Sequence, residues 1–160
     1  MEYVKQDSET GKYALSFKLL NLSNKLLSHI DILDTVRPCL RKLSAEIGET
    51  VHFVQLDGLD AVYICKEESQ QNSIRMVSKV GSRIPLYCSG VGKAMMADMD
   101  STRIQTIWYD SDIKKLTPHT IIDYTQFLEK IKEVSTKGYA LDDEENELGV
   151  RCIAVSIPDY

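Results

Sequence analysis

The sequence contains no run of about 18 or more apolar residues, so no segment of it reads as a bilayer-spanning helix. It also lacks basic charge. Nineteen Lys and Arg stand against 24 Asp and Glu, a formal charge of −5, whereas domains that grip nucleic acid usually carry a basic patch. These residues are therefore poor candidates for holding a polyanion. The opening stretch MEYVKQDSETGKYAL has no apolar core after its charges, so it does not read as a secretory signal, and a cytoplasmic location is expected. Cysteine is sparse: Cys39, Cys65, Cys88 and Cys152 form no CxxC pair. They read as reduced thiols, mostly buried as small apolar groups, rather than as a disulfide framework. His29, His52 and His119 lack HxxxH or HExxH spacing, and a zinc site built from Cys88, Cys152 and a histidine has no spacing signature behind it. No metal and no cofactor are expected.

What is present fits one globular domain of 160 residues with 43% apolar and 27% charged side chains. Residues 1–12 are polar, with turn formers in DSETGK. From Ala14 to Ile30 apolar residues recur at helical spacing, with Leu15, Leu19, Leu22, Leu26 and Ile30 on one face. Asp31 would cap a second helix that carries Ile32, Val36, Leu40, Leu43 and Ile47 inward and ends at Gly48. Pro38 either delays its start to Val36 or kinks it. ETVHFVQL and DAVYICKE are β-branched and aromatic around Asp57-Gly58, a strong hairpin signal. SIRMVSKV reads as a third strand. PLYCSGVGKAMMADM reads as an extended piece, a turn and a helix, and DSTRIQTIWY as another short helix. IDYTQFLEKIKEVSTKG follows as a helix closed by Gly138, and GYALDDEE and VRCIAVSIP as strands. Hairpin-joined strands with interspersed helices predict an α+β fold with an antiparallel sheet. A strand-like tail with no partner at one end and a polar lead at the other suggest a chain clipped at both ends.

Two clusters carry chemistry. Ser89-Gly90-Val91-Gly92-Lys93-Ala94 follows a strand and opens a helix, a setting in which backbone N–H groups favour an anion such as a small carboxylate. The phosphate-binding loop signature fails there, because Tyr87 and Ala94 stand where it needs Gly and a hydroxyl residue. A glycine-rich turn without any ligand fits the same residues equally well. Asp142-Asp143-Glu144-Glu145 is either a pair of working carboxylates or a solvated acidic loop, the commoner outcome for a charge run.

Taken together these segments resemble the effector-binding domain of the IclR family of bacterial transcription regulators, from about Tyr13 to Tyr160. YALSFKLLNLS at 13–23 is similar to the family's linker helix. VGSRIPLYCSGVGKAMMA at 80–97 and GYALDDEENELGVRCIAVSIPD at 138–159 are similar to its two signatures, and KLTPHTIID at 115–123 to its threonine-proline loop. The resemblance implies a profilin/GAF-like sensor domain over 31–160, C-terminally incomplete, preceded by a linker helix at 13–30. Residues 1–12 would then be the end of a missing winged helix-turn-helix. It implies a small organic-acid effector, a keto or sugar acid such as 2-keto-3-deoxygluconate. Ser89, Gly90 and Val91 would lie at the carboxylate, Met76 and Ile84 on an apolar wall, and Asp142 and Cys152 opposite. Val91 stands where a common relative has alanine, which would alter the cavity's shape. The family also uses two serines beyond Tyr160. DNA contact would pass through the missing domain of a homodimeric or homotetrameric repressor, with no membrane partner. Leu15, Leu19, Leu22 and Leu26 would transmit the signal. The alternatives are a small cytosolic enzyme using Asp142, Glu144 or Cys88 on a keto acid, and a ligand-free dimerisation module.

Overall fold

The structure, a computed structural model, describes residues 3–28, 32–69 and 78–158. The chain divides into two units, one of Met1–Val51 with Glu67–Ser73 and one of His52–Lys66 with Ile74–Tyr160.

In the first unit, β1 (Val4–Gln6) pairs antiparallel with β2 (Tyr13–Leu15), Lys5 opposite Ala14. The turn between them is built by Asp7, whose carboxylate accepts the N–H groups of Glu9 and Thr10 at 3.0 and 2.7 Å, and by Gly11 at φ +68°. The helical spacing predicted from Ala14 therefore begins later, as α1 (Lys18–Ser28). The strand pairing claims 13–15, and the Ser16 hydroxyl accepts the Lys18 N–H at 3.1 Å to start the helix. Leu15, Leu22 and Leu26 are exposed and Leu19 is partly exposed. The expected cap Asp31 lies outside the described residues. Helix α2 (Ile32–Ile47) runs through Pro38 instead of starting at Val36 and gives way to Gly48 at φ +72°.

Strand order in the next sheet is β3 (Val51–Asp57), β4 (Asp60–Glu67), β5 (Arg83–Pro85). The Asp57-Gly58 signal holds: Gly58 takes φ +68°, a region open to it because it has no Cβ. Arg83 clamps this turn, bonding Asp57 at 2.7 Å and Asp60 at 2.9 Å. β5 pairs antiparallel with β4, Ala61 opposite Ile84. The strand expected at SIRMVSKV falls mostly outside the described residues.

Three helices of the second unit are capped as their sequences dictate. Ser89, Asp100 and Asp123 cap α3 (Gly90–Met96), α4 (Ser101–Asp110) and α5 (Tyr124–Lys137), and Gly138 ends the last at φ +78°. Strands β6 (Ala140–Asp143) and β7 (Arg151–Ala154) pair antiparallel, with Asp142 opposite Cys152. One apolar cluster gathers Leu86, Met96, Ile107, Trp108, Phe127 and Ile131, with the Trp108 and Phe127 rings 4.5 Å apart. A second cluster is made of small residues, Ala94, Ala140 and Ala154 with Val134. Small side chains let α3 lie close on β6 and β7, and that approach builds the site. The fold is α+β with antiparallel strands, as predicted.

Candidate functional site

The first turn of α3 rests on the Asp142–Cys152 strand pair. A β-carbon on Gly90 would stand 2.7 Å from the Cys152 sulfur and 3.4 Å from the Asp142 nitrogen, so only glycine fits without displacement. Gly92 is held tighter still against the Leu86 backbone. Both glycines are therefore required by close packing, independent of any ligand.

The turn's donors are largely engaged. The Ser89 hydroxyl donates to the Pro85 carbonyl at 2.7 Å and accepts the Gly92 N–H at 3.1 Å. The Lys93 N–H goes to the Ser89 carbonyl at 3.0 Å. Ser89 is thus spent on the cap, and the Gly90 and Val91 N–H groups are the first-turn donors outside these bonds.

The acidic run splits. Asp142 and Glu145 are buried while Asp143 is exposed, so the solvated-loop expectation fails for the two inward residues. The cause is a turn: Glu144 takes φ +63°, and the Glu145 N–H folds back to the Asp142 carboxylate at 2.8 Å. Thr117 and Thr120 hold that turn from below, donating to the Glu144 and Glu145 carbonyls at 2.6 Å each. The Glu145 side chain pairs with Lys93, a lysine with no exposed surface. Glu145 Oε2 is buried with no hydrogen-bond partner among the described residues.

Burial governs the electrostatics. It raises the Asp142 and Glu145 carboxyls above their ordinary range, against the backbone N–H bonds to Asp142 and the Lys93 bond to Glu145. Burial, then the neighbouring Cys152 and Asp142, pushes the Tyr63 hydroxyl up to about 12, so it stays a donor. The Cys88 thiol is likewise pushed up to about 12, first by burial and then by Asp142. A thiol held protonated is a poor nucleophile, which removes the Cys88 branch of the enzyme alternative. Among the described residues no group of three His, Cys, Asp or Glu could hold a metal ion.

Gly90, Asp142 and Cys152 thus come together, with Val91 packed beside them. Ile84 is half-buried against the larger apolar cluster. Met76 lies outside the described residues. Sequence reasoning did not single out Lys93 or Tyr63. Lys93 had a legible signal, a lone cation in an apolar, glycine-rich stretch that would need an acidic partner if buried, but the partner lies 52 residues away.

Residues 24–160 match the family model described as bacterial transcriptional regulator IclR C-terminal. The chain is 38% identical over 157 residues to the HTH-type transcriptional regulator KdgR of Dickeya chrysanthemi, covering 98% of this chain and 51% of that protein. It is 33% identical over 159 residues to the DNA-binding transcriptional repressor YiaJ of Escherichia coli, covering 98% and 56%. The crystal structure of the Thermotoga maritima IclR superposes with a TM-score of 0.84 at 31% identity, covering 98% of this chain and 63% of that one. The chain spans between half and two thirds of the length of these relatives. The matched family and these relatives are transcriptional regulators, not enzymes. On a family match over most of its length and relatives above 30% identity, this chain belongs to the IclR family of bacterial transcriptional regulators and corresponds to its C-terminal region.

Proposed function

We propose that this chain is the effector-sensing part of a cytoplasmic transcription repressor and that it binds a small keto or sugar acid, with 2-keto-3-deoxygluconate the first candidate. The observation that carries the proposal is the Asp142 carboxylate, buried between the Cys152 strand and the first turn of α3. A buried acceptor there rewards a ligand hydroxyl and rejects analogues that lack one. The Tyr63 hydroxyl, held protonated first by burial and also by the Asp142 charge, supplies a donor. The Gly90 and Val91 N–H groups at the helix start suit the carboxylate end. Met76 and Ile84 would complete the apolar wall. DNA contact belongs to an N-terminal winged helix-turn-helix, in keeping with the acidic balance of these residues. Binding shifts a dimer or tetramer away from its DNA-competent arrangement, relayed through the exposed leucines of α1. Titration calorimetry with 2-keto-3-deoxygluconate, pyruvate and glyoxylate tests the proposal. Binding of at least one acid, weakened by Asp142→Asn, is expected; if none of the three binds the folded protein, the sensing function is wrong.

A further inference from the structure

A lysine with no exposed surface needs a reason. Burying an ammonium is costly, and a methionine of similar length would fill the same space without that cost. Its partner Glu145 is likewise buried and has one oxygen without a hydrogen bond among the described residues. The cost is therefore tied to what the pair holds in place.

Glu145 is held at three points. Its side chain meets Lys93 on α3, its carbonyl accepts the Thr120 hydroxyl at 2.6 Å, and its N–H donates to Asp142 Oδ1 at 2.8 Å. Asp142 is thus oriented by a loop whose own position is set by the helix that begins at Gly90. Helix start and carboxylate form the two ends of the proposed ligand site, and Lys93 with Glu145 is the side-chain tie between them.

We infer that Lys93 and Glu145 are positioning residues that fix the Asp142 carboxylate relative to the first turn of α3, and so set the preference for hydroxylated acids over their unhydroxylated analogues. This rests on the proposed reading of Asp142 as a ligand acceptor. Removing the Glu145 charge leaves Asp142 as the carboxylate closest in role to the ammonium, and Lys93 then draws it from its ligand-facing position. Replacing both partners by apolar groups removes that pull together with the tie.

The test compares the dissociation constants of 2-keto-3-deoxygluconate and pyruvate, which share a keto-acid head and differ in the hydroxylated tail. They are measured by calorimetry in the wild type, Asp142→Asn, Glu145→Gln and the double variant Lys93→Met with Glu145→Leu. The wild type should favour the hydroxylated acid by at least about tenfold. Asp142→Asn and the double variant should each reduce that preference to within about threefold. Fluorescence of Trp108, the single tryptophan, reports folding in the same samples. Should the double variant fail to fold, Glu145→Gln, isosteric and retaining the backbone N–H to Asp142, carries the test and should also narrow the preference. A preference lost in Asp142→Asn but intact in the folded Lys93 and Glu145 variants overturns this inference alone. A wild type that binds neither acid, or a preference intact in Asp142→Asn, overturns the reading of Asp142 and this inference with it.

Discussion

Replacing Gly92 by alanine sets two backbone effects of opposite sign against each other. Gly92 lies in the first turn of α3, where the helical preference of alanine over glycine would add about 1 kcal/mol of stability. The added β-carbon, however, would stand 2.5 Å from the Leu86 carbonyl carbon and closer still to the Leu86 oxygen and Cα. Carbon atoms in contact prefer about 3.5–4.0 Å, so the chain leading from β5 must separate from α3 by about 1 Å. No side chain can turn aside to relieve this, because every atom named is backbone. Leu86 is itself fully buried, and Ser89, whose hydroxyl ties Gly92 to Pro85, lies in the same turn. Overpacking of this kind costs about 1–3 kcal/mol and more where backbone must move, so the net effect should be a loss of about 3 kcal/mol. For a domain of this size that lowers Tm by about 6–12 °C. Denaturant unfolding followed by Trp108 fluorescence reads this directly, since Trp108 is the single tryptophan and sits in the core cluster that includes Leu86. An unchanged or raised midpoint in Gly92→Ala would refute the close approach of α3 to the Leu86 backbone.

Gly90→Ala should cost less, about 1–2 kcal/mol, because the obstructing atom is the Cys152 sulfur and a side chain can shift. Adding Cys152→Ala should recover most of that loss, and a double variant no more stable than Gly90→Ala would contradict the contact. Thr120→Val removes a buried bond to the Glu145 carbonyl and should lower the urea-derived stability by about 1–2 kcal/mol, whereas an effect under about 0.3 kcal/mol would show that the bond does not hold the turn. His52 is held neutral down to about 4, first by burial and then by the Lys66 charge, against an ordinary value of 6.5. The unfolded chain therefore takes up this proton first as pH falls below 6.5, so stability present above that value is lost progressively down to about 4. Compared with His52→Gln, the wild type should lose an extra 1–2 kcal/mol, roughly, between about pH 7 and about pH 4.5, after allowance for solvent screening at a half-buried ring. Parallel pH profiles for the two proteins would contradict the neutral, buried state.

Much of the secondary structure was legible because its signals are local. Asp100 and Asp123 accept backbone N–H groups within their own helix starts, Gly138 and Gly58 adopt positive φ where the sequence placed an ending and a hairpin turn, and alternation marked β3 and β4. The miss at Tyr13–Leu15 was also local in appearance. Helical spacing continued there, yet pairing with Val4–Gln6 and the Ser16 cap took precedence. At the site, the sequence singled out Gly90, Asp142 and Cys152 through resemblance, and the structure brings them together. It gave the glycines a ligand-facing reason, while packing against Cys152 and Leu86 supplies another.

Taken alone, the sequence determined the α+β class, the helix ends at Gly48 and Gly138, the hairpin and the acidic character, each set by residues a few positions apart or by simple counting. Tertiary structure decided which charges are buried. Lys93 and Glu145 are 52 residues apart, and neither their neighbours nor their spacing shows that they pair. Desolvation depends on what packs around a group in space, so a run of four acidic residues became two exposed or half-exposed and two buried only when Glu144 turned and α3 closed on β6 and β7.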